Sequence, residues 1–87
     1  MNPLALAPEA IPELMSRLTP RQLEVVGLLA QGQSTKQTST ILSISSETVK
    51  RHIYRACQKM EIENRVQLIV IFTMCKIMEN RNEKEIS

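Results

Sequence analysis

Between two stretches with helical patterning, residues 35–42 and 45–60, the connection consists of Ser43, Ile44 and the capping Ser45 alone. A link this brief makes two helices cross steeply rather than lie antiparallel, and the expected unit is a helix-turn-helix. The ends of both helices are signalled by their caps. Ser34 and Gln37 have the spacing of a capping box, and Ile41 with Leu42 closes the first helix. Ser45 or Ser46 caps the second, which runs to about Met60.

That second helix sorts its residues into two faces. At roughly 100° per residue, Val49, Ile53, Ala56, Cys57 and Met60 gather on one side, and Lys50, Arg51, Tyr54, Arg55 and Gln58 on the other. One face fits a core. The other fits either solvent or a nucleic acid, and its composition favours the second. A solvated face mixes charges to gain i,i+4 pairs, whereas here Lys50, Arg51, Arg55 and Lys59 meet a single acid, Glu47, which lies in the first turn where the helix dipole favours negative charge. Tyr54, one of only two aromatic residues in the chain, points outward among these cations. An outward aromatic between cations suits contact with bases and sugars.

Thr19, Pro20 and Gln22 supply an N-cap, a proline at the first helical position and a capping-box acceptor for a helix over about 19–31, in which Leu23, Val26 and Leu29 form the apolar stripe and Gly32 is the stop. Asn64 and Gln67 cap a further helix over about 65–79, apolar nearly all round. Residues 1–17 form a lead-in with Pro3 and Pro8; Pro12 opens a short turn of helix running to Arg17, and residues 80–87 read as a tail. No alternating strand pattern persists and the chain has two glycines, so the fold class is all-α, a single small domain.

The net charge of +2 does not by itself imply a polyanionic partner, but between Arg21 and Arg65 seven basic residues face four acids. Cys57 and Cys75 lie in apolar patterns without metal-binding spacing and read as small hydrophobes in a reducing cytosol. No signal peptide opens the chain. The longest apolar tract, 66–78, is shorter than the roughly 20 residues of a membrane span. These features imply a soluble cytoplasmic protein. No nucleophile and base pair, metal cluster or phosphate loop is present, so neither an enzyme nor a cofactor is expected.

With the helices placed, residues 18–65 resemble the LuxR-type DNA-binding domain, the output module of many bacterial response regulators and quorum-sensing regulators, which also exists as small freestanding proteins. The resemblance lies in LTPRQLEVV at 18–26, then Gly32, Ser34 and Lys36, then LSISSETVKRH at 42–52, then Lys59, Ile62 and Arg65. The promoter-reading region four of sigma factors shares a similar opening and a TVK-like helix, but His52, the Ile62 to Arg65 element and the apolar last helix favour the LuxR type.

The resemblance implies a four-helix domain with a long apolar C-terminal helix. Double-stranded DNA would be its ligand, with Lys50, Arg51 and Tyr54 reaching bases, Arg55 nearby, and Thr35, Lys36, Thr48, His52, Lys59 and Arg65 near phosphates. His52 and Arg65 each retain a structural reading, as a hydrogen bond to a neighbouring helix and a brace for the last helix, and Lys36 a solvated one. Thr38 and Ser39 depart from the family pattern, standing where an apolar pair is usual, and so does Glu61, standing where glycine is common, so that the left-handed cap glycine would provide is expected to be harder to form. Ala56 is also smaller than usual there.

Val66, Ile69, Val70, Thr73 and Ile77 form the expected homodimer interface, unless the N-terminal Leu4, Leu6, Ile11, Leu14 and Met15 fold back over that helix. The leading expectation is a dimeric bacterial transcription regulator. Its alternative is an antagonist that no longer binds DNA and pairs with a larger regulator. RNA polymerase is a further partner the resemblance implies. A third reading makes the chain a fragment of a longer regulator.

Overall fold

The computed structural model describes residues 6–86, with side chains through residue 81. Five helices follow one another: α1 (Ala10–Ser16), α2 (Pro20–Ala30), α3 (Thr35–Leu42), α4 (Ser46–Met60) and α5 (Arg65–Ile86), with no strand among the described residues. None of these helices is long and apolar enough to cross a membrane.

Local chemistry sets where the helices begin. The Thr19 hydroxyl accepts from the Gln22 N–H at 3.1 Å while the Gln22 side-chain oxygen accepts from the Thr19 N–H at 3.0 Å. Ser34 and Gln37 repeat this box at 3.0 and 2.8 Å. Ser45 caps α4 through the Thr48 N–H at 3.0 Å, and Asn64 caps α5 through the Gln67 N–H at 3.1 Å. Each such cap satisfies a backbone donor that the first helical turn leaves unpaired, and contributes about 1 kcal/mol.

The helix ends share another device. After α2, α3 and α4 the chain turns through a left-handed residue, Gly32 (φ 92°), Ser43 (φ 56°) and Glu61 (φ 56°). The N–H of the residue after each left-handed one then closes back onto the helix: Gln33 to the Leu28 carbonyl at 3.1 Å, Ile44 to Ser39 at 3.0 Å and Ile62 to Cys57 at 3.0 Å. The cap expected to be hard to form at Glu61 is therefore present, without glycine. Ile62, which is buried, anchors its far side, and the backbone strain of a side chain at positive φ remains.

The core is built from one face of each of four helices. Ile11, Leu14 and Met15 of α1, Val25, Val26 and Leu29 of α2, all five expected positions of α4, and Leu68 and Ile71 of α5 are buried, with Leu18 and Ile62 from the links. Leu23, expected in the α2 stripe, is only half-buried, and Val25 takes the deeper place.

The helices at the two ends of the chain run further than their patterning predicts. The turn expected at Pro12 is a helix in its own right, packed against α5; Pro12 falls in its first turn, where the missing N–H costs nothing. And α5 continues to Ile86, beyond residue 79, because no glycine or proline stops it.

Arg17, just past α1, ties the lead-in to α4. Its Nη1 donates to the Lys59 carbonyl at 2.9 Å, one of the last carbonyls of α4, while its Nε and Nη2 each lie 3.0 Å from the Glu13 carboxylate. Glu61 is 3.8 Å away on the other side. A cation here suits the negative end of the α4 dipole.

Candidate nucleic-acid interface

α3 and α4 meet through the Ser43 turn, and α4 is held from within by Val49, Ile53, Ala56, Cys57 and Met60. Burying one face fixes the rotation of the helix, and so fixes what it displays. Lys50, Arg51, Tyr54, Arg55 and Gln58 are all exposed, Tyr54 at 64 %. Among the described residues Lys50 is paired with Glu47, 3.5 Å away and exposed, an interaction weak enough to release the lysine to another anion. Gln58 Nε2 donates to the Tyr54 hydroxyl oxygen at 3.1 Å.

The six residues expected near phosphates divide into groups. Arg65 Nη1 donates to the Thr35 hydroxyl at 3.1 Å, which brings the starts of α5 and α3 together with exposed Lys36 next in sequence. Thr48 is half-buried, its hydroxyl 2.8 Å from that of Ser45 at the head of α4. Lys59 is drawn aside: its Nζ donates to the Gln22 side-chain oxygen at 3.1 Å, so one of its three N–H groups stitches α4 to the capping box of α2.

His52 is half-buried, and burial is the main cause that lowers its pKa below the usual imidazole value, followed by the charges of Arg21, Arg55 and Arg51. Arg21, on α2 and 3.4 Å from Glu24, thus adds its field to the cationic surface of α4. Sequence patterning assigned Arg21 no role because its neighbourhood with His52 depends on how α2 packs on α4.

The departures in α3 resolve differently from one another. Ser39 donates to the Lys36 carbonyl at 2.6 Å and accepts from the Ser46 hydroxyl at 3.5 Å. Thr38 is fully buried, and its hydroxyl has no hydrogen-bond partner among the described residues. Burial also pushes the thiols of Cys57 and Cys75 up, and neither is in a disulfide. No group of three or more His, Cys, Asp or Glu side chains able to hold a metal occurs among the described residues.

On α5, Leu68 and Ile71 face inward, whereas Val66 (66 % exposed), Thr73 and Ile77 (53 % exposed) face out, with Ile69 and Val70 half-buried beside them. Val66, Val70, Thr73 and Ile77 fall within an arc of about 60° on a regular helix. α1 and the half-buried Leu6 pack against the core rather than over this whole stripe; Leu4 lies outside the described residues.

A helix-turn-helix with a cationic, tyrosine-bearing second helix and a capped first one that carries Lys36 in its first turn defines the class of DNA-binding module. Within that class, residues 16–72 match the model of the bacterial regulatory proteins of the luxR family, and the chain belongs to this family of DNA-binding transcription regulators. Among its relatives, the nitrate/nitrite response regulator protein NarP of Escherichia coli is 44 % identical over 57 residues, 66 % of this chain and 26 % of NarP. The transcriptional regulatory protein DesR of Bacillus subtilis is 41 % identical over 66 residues, 72 % of this chain and 33 % of DesR. The spore germination protein GerE of Bacillus subtilis is 43 % identical over 53 residues, 61 % of this chain and 72 % of GerE. The match thus spans about a quarter of NarP and a third of DesR, but most of GerE. No solved structure matches.

Proposed function

We propose that this chain is a sequence-specific regulator of transcription that lays α4 in the DNA major groove, with Lys50, Arg51, Tyr54 and Arg55 at base edges. The observation that carries the reading is the division of α4, whose five buried apolar residues turn Lys50, Arg51, Tyr54 and Arg55 outward. Lys50 and Arg51 suit guanine O6 and N7, and Tyr54 suits a base acceptor or a thymine methyl. Thr35, Lys36 and Arg65 grip one phosphate strand at the head of α3, where unpaired N–H groups and the dipole favour an anion. Thr48 and His52 on α4, with the two N–H groups of Lys59 that Gln22 does not use, face other phosphates.

The active form is a homodimer through Val66, Ile69, Val70, Thr73 and Ile77, which sets two α4 helices on a palindromic site about one DNA turn apart. Cytoplasm and the transcription machinery, including RNA polymerase, are its setting. A second reading makes the chain a partner that joins a longer relative by α5 without reading DNA; the same exposed stripe supports it, because a matching helix on a relative fits as well as a second copy.

Selection of bound sequences from a random duplex pool, with sedimentation of the protein alone, separates the two. The first reading gives an enriched two-fold symmetric site and a dimer. The second gives no enrichment, and a complex only when a longer relative is added.

A further inference from the structure

Tyr54 and Gln58 stand one helical turn apart on the exposed face of α4, the spacing at which side chains meet. Gln58 Nε2 donates to the Tyr54 hydroxyl oxygen at 3.1 Å. A phenol has one proton to donate and an oxygen that can accept. With the amide N–H on that oxygen, the accepting side is occupied and the proton is left to point outward. We infer that Gln58 is a positioning residue that makes Tyr54 a hydrogen-bond donor only, and so sets which bases the tyrosine tolerates.

The consequence follows from what each base shows in the major groove. Guanine offers O6 and N7, adenine N7 and thymine O4, all acceptors, whereas cytosine offers only the N4 amino donor. A donor-only tyrosine meets cytosine donor to donor. Without Gln58 the hydroxyl can turn and accept, and cytosine becomes tolerable. Gln58 acts here through Tyr54 and touches no base itself. The inference rests on the major-groove reading of α4 given above.

The test compares the intact chain with Q58L, Y54F and the double variant, each selected against a random duplex pool and then measured on duplexes that differ at one base. Wild-type protein is expected to disfavour cytosine at one position of each half-site by about fivefold, the worth of a single neutral hydrogen bond. Q58L is expected to lose that bias alone, Y54F to lose it as well, and the double variant to match Y54F. Both side chains are exposed, so thermal melting should be the same for all four proteins.

A lost adenine preference in Q58L at a position Y54F leaves untouched would make Gln58 a base reader and overturn the inference. So would an unchanged cytosine bias in Q58L, or a wild-type preference for cytosine at the tyrosine's position. In each of those cases the major-groove reading survives, because selection still returns a site. Only a protein that enriches no sequence at all removes both.

Discussion

The two helices of the helix-turn-helix are held in opposite ways. α4 buries five apolar side chains and leaves its polar face outside, whereas α3 buries no apolar residue: its only buried side chains are Thr38 and Ser39. Leu42 is half-buried and Ile41 is 53 % exposed. What fixes α3 lies at its ends, in the Ser34 and Gln37 box, the Ser43 turn with Ile44 behind it, and the bond from Arg65 to Thr35. A helix that reads bases needs one defined rotation, which burial of an apolar face supplies. A helix that braces the reader and holds phosphate needs its ends placed more than its middle.

The largest effect should come from truncating the α4 anchor. Met60→Ala removes a fully buried side chain and should cost about 2–5 kcal/mol, a large share of the stability of a domain this small; urea unfolding measures it. No truncation in α3 should approach that, and an equal loss for Leu42→Ala would break the contrast.

Thr38 gives the opposite sign. Its hydroxyl is buried without a hydrogen-bond partner among the described residues, so the isosteric Thr38→Val should raise stability by about 1–2 kcal/mol. An unchanged or lower urea midpoint would show that the hydroxyl has a partner in solution. Smaller still, Glu61→Gly relieves a side chain at φ 56° and should stabilise by about 0.5–1 kcal/mol, because the freedom glycine adds to the unfolded chain offsets part of the gain.

His52 supplies a pH test on the α4 side. Its pKa is lowered in the fold, chiefly by burial, so the stability it contributes is complete above the unfolded value near 6.5 and is lost as pH falls through the lower folded value. DNA should act the other way. A phosphate beside His52 favours the imidazolium, so affinity should rise as pH falls from about 7.5 to 6. His52→Gln should flatten both profiles, and a binding profile already flat in the wild-type protein would leave His52 with its structural role alone.

Much of this contrast was legible in the residues themselves. The starts of α2, α3, α4 and α5 lie within a residue of where the capping residues put them, because caps are local chemistry. The faces of α4 followed from periodicity alone. The packing of α1 on the last helix was legible only as the alternative in which Ile11, Leu14 and Met15 fold back, since Pro8 and Pro12 leave no periodic pattern that marks those residues as core. The contacts that join distant segments were not legible. Lys59 meets Gln22 across 37 positions and Arg65 meets Thr35 across 30, and spacing along one helix carries no information about either. The cap at Glu61 was misjudged for a related reason, as the burial of Ile62 that holds it depends on the assembled core.

The central claim is that the outward face of α4 reads sequence while its inward face only holds it in place. Fluorescence anisotropy of the Lys50→Ala, Arg51→Ala double variant on the selected duplex, over a salt series, tests it most directly. Each substitution should remove about 1–3 kcal/mol of specific binding, at least 30-fold together. Affinity should fall towards that for random duplex, with the urea unfolding midpoint unchanged. Undiminished affinity for the selected site in a folded double variant would contradict the claim.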